Sequence, residues 1–272
     1  MAILGIFIQS KNGIPVYKET WSPKIKALDE GDELLISGFM SAISQFANTF
    51  KQDIAYIRFI PLEFVNDKGI DSILVDLKEY LVFVFVDPYQ FHDMVKIKLD
   101  IIYNHVLSKY KKNLSYGKTI KLSQDDRSFC SKILHDSLIK DYISQKRIML
   151  IETLDLFINN NPEIRGISIN SFDNTILFNY NIERTYLENL LYMMGSGITK
   201  VSEYEIIHKP VIEDGDSLLV CLTNPAISFD LSEIGDNIDY NVPLYYYVIT
   251  DADSSIGPLI GALIDIINPI FY

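Results

Sequence analysis

The feature that most constrains the fold is a pattern that occurs twice: a strand, a short turn containing Asn, a second strand and an amphipathic helix. The first copy comprises Ala2 to Ser10, Lys11-Asn12-Gly13, Ile14 to Trp21 and a helix from about Asp32 to Phe50. The second comprises Gly166 to Phe172, Asp173-Asn174, Thr175 to Tyr180 and a helix from Glu183 to Met194. Asn, Asp and Gly tolerate positive φ, so each turn predicts a hairpin between its flanking strands.

Composition indicates a globular protein with two domains. A chain of 272 residues is long enough for two hydrophobic cores. An apolar content of 48% excludes intrinsic disorder, because disordered chains lack the apolar surface that offsets ordering entropy. Residues 1 to 146 carry 19 Lys and Arg against 18 Asp and Glu, whereas residues 147 to 272 carry 5 against 18. The acidic second half would repel phosphates, so we expect no nucleic-acid ligand.

Targeting signals and cysteine spacing favour a cytoplasmic protein. The longest uncharged run, Leu34 to Phe50, contains several Ser, Asn, Gln and Thr residues and therefore predicts an amphipathic helix rather than a membrane span. The apolar stretch Ile3 to Ile8 is too short for a signal peptide. Cys130 and Cys221 form neither a disulfide framework nor a CxxC pair, so we interpret them as small apolar residues.

The first half continues as further strands and helices. The helix from Asp32 to Phe50 has apolar residues at spacings of three and four, which predicts one broad face that covers a sheet. Strands are predicted over Ile54 to Val65, Asp71 to Leu77 and Tyr80 to Val86. Asp87 is predicted to cap a long helix that has Pro88 at its first position. Residues Ser128 to Asn160 contain neither Gly nor Pro, which predicts one long helix or two helices joined near Gln145.

The second half repeats this arrangement with a helix placed first. A helix that begins near Ile148 precedes the second hairpin. The helix that follows this hairpin, Glu183 to Met194, is followed by strands over Val201 to Ile212, Ser217 to Thr223 and Leu244 to Thr250 and by a last helix over Ser254 to Asn268. These orders predict an α+β protein with two five-stranded antiparallel sheets and helices packed on their faces. The predicted domains are residues 1–144 and 145–272.

The order of elements resembles two related families. The first half, with Gly13-Ile14-Pro15-Val16-Tyr17 after an N-terminal strand, resembles the longin domain, and the second half is similar to the roadblock/LC7 family. The resemblance covers nearly the whole chain and implies a non-enzymatic platform for small GTPases or a scaffold of membrane-traffic complexes. A tandem of the two looks like proteins of archaea related to eukaryotes and like paired longin subunits of GTPase exchange factors.

Motifs for catalysis and cofactor binding are lacking in the sequence. It contains no GxxxxGK[ST] phosphate loop and no GxSxG nucleophile motif, and Gly195-Ser196-Gly197 is interpreted as a helix C-cap. The four histidines, His92, His105, His135 and His208, have no Cys or carboxylate at a spacing typical of a site. We therefore expect no enzyme, no cofactor and no metal. An acidic cluster, Glu213, Asp214 and Asp216, lacks the calcium-loop pattern.

One basic stretch lies between Ser108 and Leu122 without an intervening acid. Its lysines are Lys109, Lys111, Lys112, Lys118 and Lys121. They are interpreted either as solvated residues at a helix end, where cations complement the dipole, or as a contact with an anionic membrane surface.

Three functional hypotheses follow. The first is a scaffold that binds a small GTPase, or another longin or roadblock chain, with the contact predicted at Leu34, Ser37, Ser41 and Ser44 of the first helix. The second is a PAS- or GAF-like sensor with an apolar ligand pocket. The third is an enzyme whose acid and base groups lie in the loop from Asn224 to Pro243, namely Asp230, Glu233, Asp236 and Asp239.

Overall fold

The computed structural model describes most of both halves of the chain. The described residues are 3–22, 25, 30–52, 54, 57–59, 70–115, 120–194, 206–211, 216–223, 227–230, 239–241, 243–251 and 257–271. The chain divides into two compact units between His135 and Asp136, whereas the sequence predicted the division after residue 144. The α+β class, with antiparallel sheets and helices, is confirmed.

The first unit is built on one antiparallel sheet. Its strands are β1 (Ile3–Ser10), β2 (Pro15–Thr20), β3 (Ile57–Phe59), β4 (Asp71–Leu77) and β5 (Tyr80–Val86). Their order across the sheet is β2-β1-β5-β4-β3. Its α-helices are α1 (Glu30–Thr49), α2 (His92–His105), α3 (Lys111–Ser115) and α4 (Gln124–Leu134), with a 3-10 turn over Leu107–Tyr110. The apolar run in β5 lies at the centre of the sheet, and every residue of β5 but Phe85 is buried.

The main sheet of the second unit is formed by β6 (Ile164–Ser171), β7 (Ile176–Tyr180), β8 (Ile206–Val211), β9 (Asp216–Thr223) and β12 (Leu244–Asp251). Their order, β7-β6-β12-β9-β8, is the same arrangement as in the first unit. A separate pair consists of β10 (Ser228–Asp230) and β11 (Asp239–Asn241). The helices are α5 (Ser137–Gln145), α6 (Arg147–Asn160), α7 (Arg184–Met194) and α8 (Gly257–Ile267), with a 3-10 turn over Asn268–Phe271.

Both predicted hairpins are confirmed. β1 and β2 are antiparallel around Gly13, which has a φ of 78°, and β6 and β7 are antiparallel around Asn174, which has a φ of 72°. In the second hairpin the Asn174 Oδ1 atom accepts hydrogen bonds from Asn170 Nδ2 at 2.9 Å and from the Tyr247 hydroxyl at 2.8 Å. Buried polar groups need such partners, so these bonds hold the turn against β12.

Two helix predictions are corrected. The helix after β5 begins at His92 and not at Pro88, because Asp87 to Gln90 close a turn in which the Gln90 amide donates to the Asp87 carbonyl. Residues 128 to 160 lie in three helices, because the chain is interrupted at Asp136 as well as at Lys146. Asp136 has a φ of 53°, and this left-handed conformation ends a right-handed helix.

Candidate functional site

The candidate site is the outward side of α1, and the inward side of the same helix explains how it is positioned. Met40 is completely buried in a core cluster with Phe7, Leu74, Leu81 and Phe83 of the sheet, and Ile36 and Ile43 pack against that cluster. These positions recur every three or four residues and form one stripe of the helix. The sheet therefore fixes the rotation of α1 about its own axis.

Polar side chains attach α1 to the first hairpin. Gln9 Nε2 donates hydrogen bonds of 3.2 Å to the Ser37 carbonyl oxygen and to Ser41 Oγ. Ser37 Oγ lies 3.4 Å from the carbonyl oxygen of Gly13, to which it donates. These bonds satisfy groups that would otherwise be desolvated beneath the helix. They also fix the position of the hairpin turn relative to α1.

The C-terminus of α1 is closed by a two-bond cap. The Lys51 amide donates to the Asn48 carbonyl and the Gln52 amide donates to the Ala47 carbonyl, while Lys51 adopts a φ of 54°. This is the hydrogen-bond pattern of a Schellman motif, with Lys51 in the left-handed position. The last turn is thus held in register, which fixes the direction of Phe46 and Phe50.

The outward side of α1 is apolar as well. Its five large side chains are exposed, with exposed fractions of 76% for Leu34, 74% for Leu35, 43% for Phe39, 67% for Phe46 and 60% for Phe50. We call these five residues the α1 patch. The Phe46 and Phe50 rings meet edge to face with centroids 5.0 Å apart, and a Cβ placed on Gly38 would have nothing within 4 Å. Contiguous exposed apolar side chains mark interaction sites on soluble proteins.

The structure separates the four residues predicted as the contact surface. Leu34 belongs to the α1 patch. Ser37 and Ser41 are half-buried against the hairpin, and Ser44 is 5% exposed, so these three lie on the sheet side of α1. Ser37 and Ser41 therefore attach the helix to the hairpin, and Ser44 is buried. The sequence did indicate an exposed apolar surface on α1, because its apolar residues outnumber those that one packed stripe can bury.

Two lysines of the basic stretch form ion pairs within the first unit. Lys109 Nζ lies 3.2 Å from Asp126 Oδ1, and Lys111 forms an ion pair with Glu79. Lys112 and Lys121 are exposed, and Lys118 lies outside the described residues. The acids that meet Lys109 and Lys111 are distant in sequence, which is why the stretch reads as free of acid partners.

Hydrogen bonds set the charge states of those two acids. Burial acts to raise the pKa of Asp126, but hydrogen bonds from Tyr110, Ser123 and Lys109 outweigh it and lower the pKa below its ordinary value. Burial likewise opposes the lowering at Glu79, where hydrogen bonds from Lys111 and Tyr103 lower the pKa. Both groups are therefore carboxylates at neutral pH.

Other candidate residues are placed as follows. His92 Nε2 lies 3.4 Å from Asp71 Oδ2 in a buried pair that sequence spacing did not indicate. Asp230 and Asp239 are paired across β10 and β11, while Glu233 and Asp236 lie outside the described residues. Among the residues described, no group of three His, Cys, Asp or Glu side chains could hold a metal ion. No described helix is both long and apolar enough to cross a membrane.

No protein-family model and no curated protein matches the chain.

Proposed function

We propose that this chain is a non-catalytic scaffold, longin-like in its first unit and roadblock-like in its second. It binds a small GTPase or another longin or roadblock subunit. The observation that carries the proposal is the α1 patch, which presents two leucines and three phenylalanines to solvent from one side of a single helix. Phenylalanine is among the residue types enriched at protein interfaces, where a few buried side chains carry most of the binding energy.

The arrangement of the strands supports the family part of the proposal. The two sheets have equivalent strand orders, in which the first hairpin occupies one side and the last three strands the other. The longin-like and roadblock-like identities imply this arrangement of a hairpin, a helix and three further strands. The first and second units would then be two variants of one architecture.

The charge of α1 also supports a protein partner. The helix has no charged residue from Leu34 to its last residue, Thr49, so a partner that covers it need not desolvate a charge. Charged residues are depleted at the centres of protein interfaces for this reason.

The test is a pull-down of the full chain against the longin and roadblock proteins of its own organism and against its small GTPases, the latter loaded with GDP, with a GTP analogue or left without nucleotide. Preference for the nucleotide-free form indicates an exchange factor, and preference for the GTP form an effector or activating protein. The double variant Phe39→Ser, Phe46→Ser is expected to reduce capture at least about tenfold, because two aromatic anchors are lost.

A matched control comes from the second unit. Leu156 on α6 has the same exposed fraction as Phe46, 67%, so Leu156→Ser removes a comparable exposed apolar side chain that does not belong to α1. We expect this variant to bind as the unchanged protein does. Capture of no GTPase and no longin or roadblock chain in any nucleotide state would reject the proposed function.

Peripheral membrane contact is a secondary part of the proposal and rests on the exposed Lys112 and Lys121. Each basic residue near an anionic surface contributes about 1 kcal/mol. The double variant Lys112→Glu, Lys121→Glu should therefore weaken flotation with phosphatidylserine vesicles. Unchanged flotation would remove the membrane part and leave the scaffold role intact.

A further inference from the structure

We propose that a groove between β2 and α4 in the first unit binds an extended acidic peptide, which adds to the sheet beside β2. The groove has a volume of about 500 Å³, and none of the residues that line it belongs to the α1 patch. The inference is independent of the proposed function, since it invokes neither α1 nor a GTPase.

The groove is lined by more positive than negative charge. Lys18 of β2 and Arg127 and Lys132 of α4 contribute cations, and Glu19 of β2 contributes the one carboxylate of the described lining. Glu19 accepts a hydrogen bond from the Tyr17 hydroxyl within the first unit. A ligand that enters the groove therefore meets two exposed cations on α4 and a carboxylate that already has a donor.

Neutral donors line the same side of α4. Gln124, Ser128 and Ser131 lie within the groove, at spacings of four and three residues that place them along one side of the helix. Hydroxyl and amide groups can donate to carboxylates, and Arg binds a carboxylate through two parallel hydrogen bonds. The polar lining thus favours an anionic ligand over an apolar one.

The geometry of β2 favours a peptide over a compact anion. Among the described strands β2 is an outer member of its sheet. Trp21 donates its amide to the Leu4 carbonyl, and the register pairs Glu19 with Ile6. Because amide directions alternate along an antiparallel strand, the N–H of Thr20 points away from β1 toward the outer side. An added strand could accept a hydrogen bond from it.

Both cations of α4 can meet carboxylates of one extended chain. Arg127 and Lys132 line the same groove, although five residues of helix place them about 7.5 Å apart along the axis and about 140° apart around it. Alternate residues of a strand lie on one face about 6.6 Å apart, so a peptide with several acidic residues on that face offers more than one carboxylate to the two cations. Screening limits repulsion by the net charge of −12 to about 8 Å at physiological salt.

The test is fluorescence anisotropy of a labelled peptide of four Val-Glu repeats, titrated with the full chain. A Val-Gln peptide of equal length reports binding that does not depend on charge. The double variant Arg127→Glu, Lys132→Glu is expected to weaken binding of the Val-Glu peptide at least about tenfold. The matched control Lys121→Glu, which makes the same kind of charge change outside the groove lining, should leave it unchanged. Unaltered binding by the double variant would overturn the proposal.

A second variant tests strand addition. Thr20→Pro removes the outward N–H, and proline is tolerated on an outer strand when that N–H is not used within the sheet. We expect weaker peptide binding at a melting temperature close to that of the unchanged protein. Displacement of the peptide by inorganic phosphate, together with full binding by Thr20→Pro, would show an anion site without strand addition and overturn the assignment. The Phe39→Ser, Phe46→Ser variant should bind the peptide normally, which separates this inference from the proposed function.

Discussion

The Tyr110 hydroxyl donates a 2.6 Å hydrogen bond to Asp126 Oδ2, and this bond joins the 3-10 turn after α2 to the first turn of α4. Ser123 Oγ donates to the same oxygen at 2.7 Å while accepting from the Asp126 amide at 3.1 Å. The Asp126 carboxylate and the Ser123 cap thus satisfy each other at the start of α4. The basic stretch is held in place by this network.

Replacement of Asp126 by Asn should lower the free energy of unfolding at pH 7 by about 1 to 3 kcal/mol, because charge-assisted hydrogen bonds and an ion pair are weakened. The pKa of Asp126 is lower in the folded protein than its ordinary value of 3.8, so its stabilisation is present above pH 3.8 and is lost as the pH falls toward the folded pKa. Urea unfolding at several pH values measures both effects. Equal acid sensitivity in Asp126→Asn and the unchanged protein would contradict the prediction.

Replacement of Gly166 by Ala should destabilise the second unit by about 1 to 3 kcal/mol or more through overpacking. A Cβ at this position would clash with Ile182 Cγ1 and would lie 2.9 Å from the Tyr180 carbonyl oxygen, which is backbone and cannot rotate away. Thermal unfolding followed by circular dichroism measures the loss.

Gly38→Ala is the matched control for that substitution. The new Cβ would meet nothing within 4 Å, and alanine has the higher helix propensity, so stability should rise by about 0.5 to 1 kcal/mol. A loss of stability in Gly38→Ala would mean that the outward side of α1 is covered in solution.

Substitution of the adjacent residues Phe39 and Met40 of α1 should affect stability and partner capture in opposite order. Met40→Ala should cost about 2 to 5 kcal/mol because it leaves a cavity in the core, whereas Phe39→Ala should cost far less because Phe39 is 43% exposed. Partner capture should show the reverse order, with the larger loss in Phe39→Ala. Denaturant unfolding and the pull-down together check the prediction. Similar stability losses in the two variants would contradict the assigned rotation of the helix.

The two cysteines should be unreactive in the folded protein. Burial raises the pKa of the Cys130 thiol to about 12 and that of Cys221 to about 11. At pH 8 the thiolate of Cys130 should be on the order of a thousandfold scarcer than that of an ordinary thiol. Titration with a thiol reagent should therefore detect almost no cysteine before denaturant is added and two afterwards. Rapid modification of the native chain would refute the prediction.

Local sequence patterns predicted the hairpins because Gly13 and Asn174 report backbone conformation directly. The break at Asp136 was not predictable in the same way, since aspartate occurs both inside helices and in left-handed turns. Propensity is a weak signal at such a residue, and the neighbouring contacts decide its conformation.

The four residues predicted as a contact surface do not share one side of α1, since Leu34 is exposed and the three serines are buried or half-buried. Periodicity showed that α1 is amphipathic, yet it could not tell which apolar stripe meets the sheet, because Leu35, Phe39 and Phe46 compete with Ile36, Met40 and Ile43. Serines are ordinarily expected on the solvent side. The hydrogen bonds from Gln9 reverse that expectation, and Gln9 lies 28 residues away from Ser37 in sequence. Long-range contacts of this kind are not readable from a local pattern.

Because α1 is apolar on both its buried and its exposed side, the protein without a partner has an exposed apolar surface in solution. Three exposed phenylalanines and two exposed leucines on one helix create an aggregation hazard that grows with concentration, since random collisions bury the same surface that a specific partner would bury. Co-expression with a true partner should raise the soluble yield. A chain made in excess of that partner would be open to precipitation and to quality-control proteolysis, which couples its abundance to the abundance of whatever covers the helix.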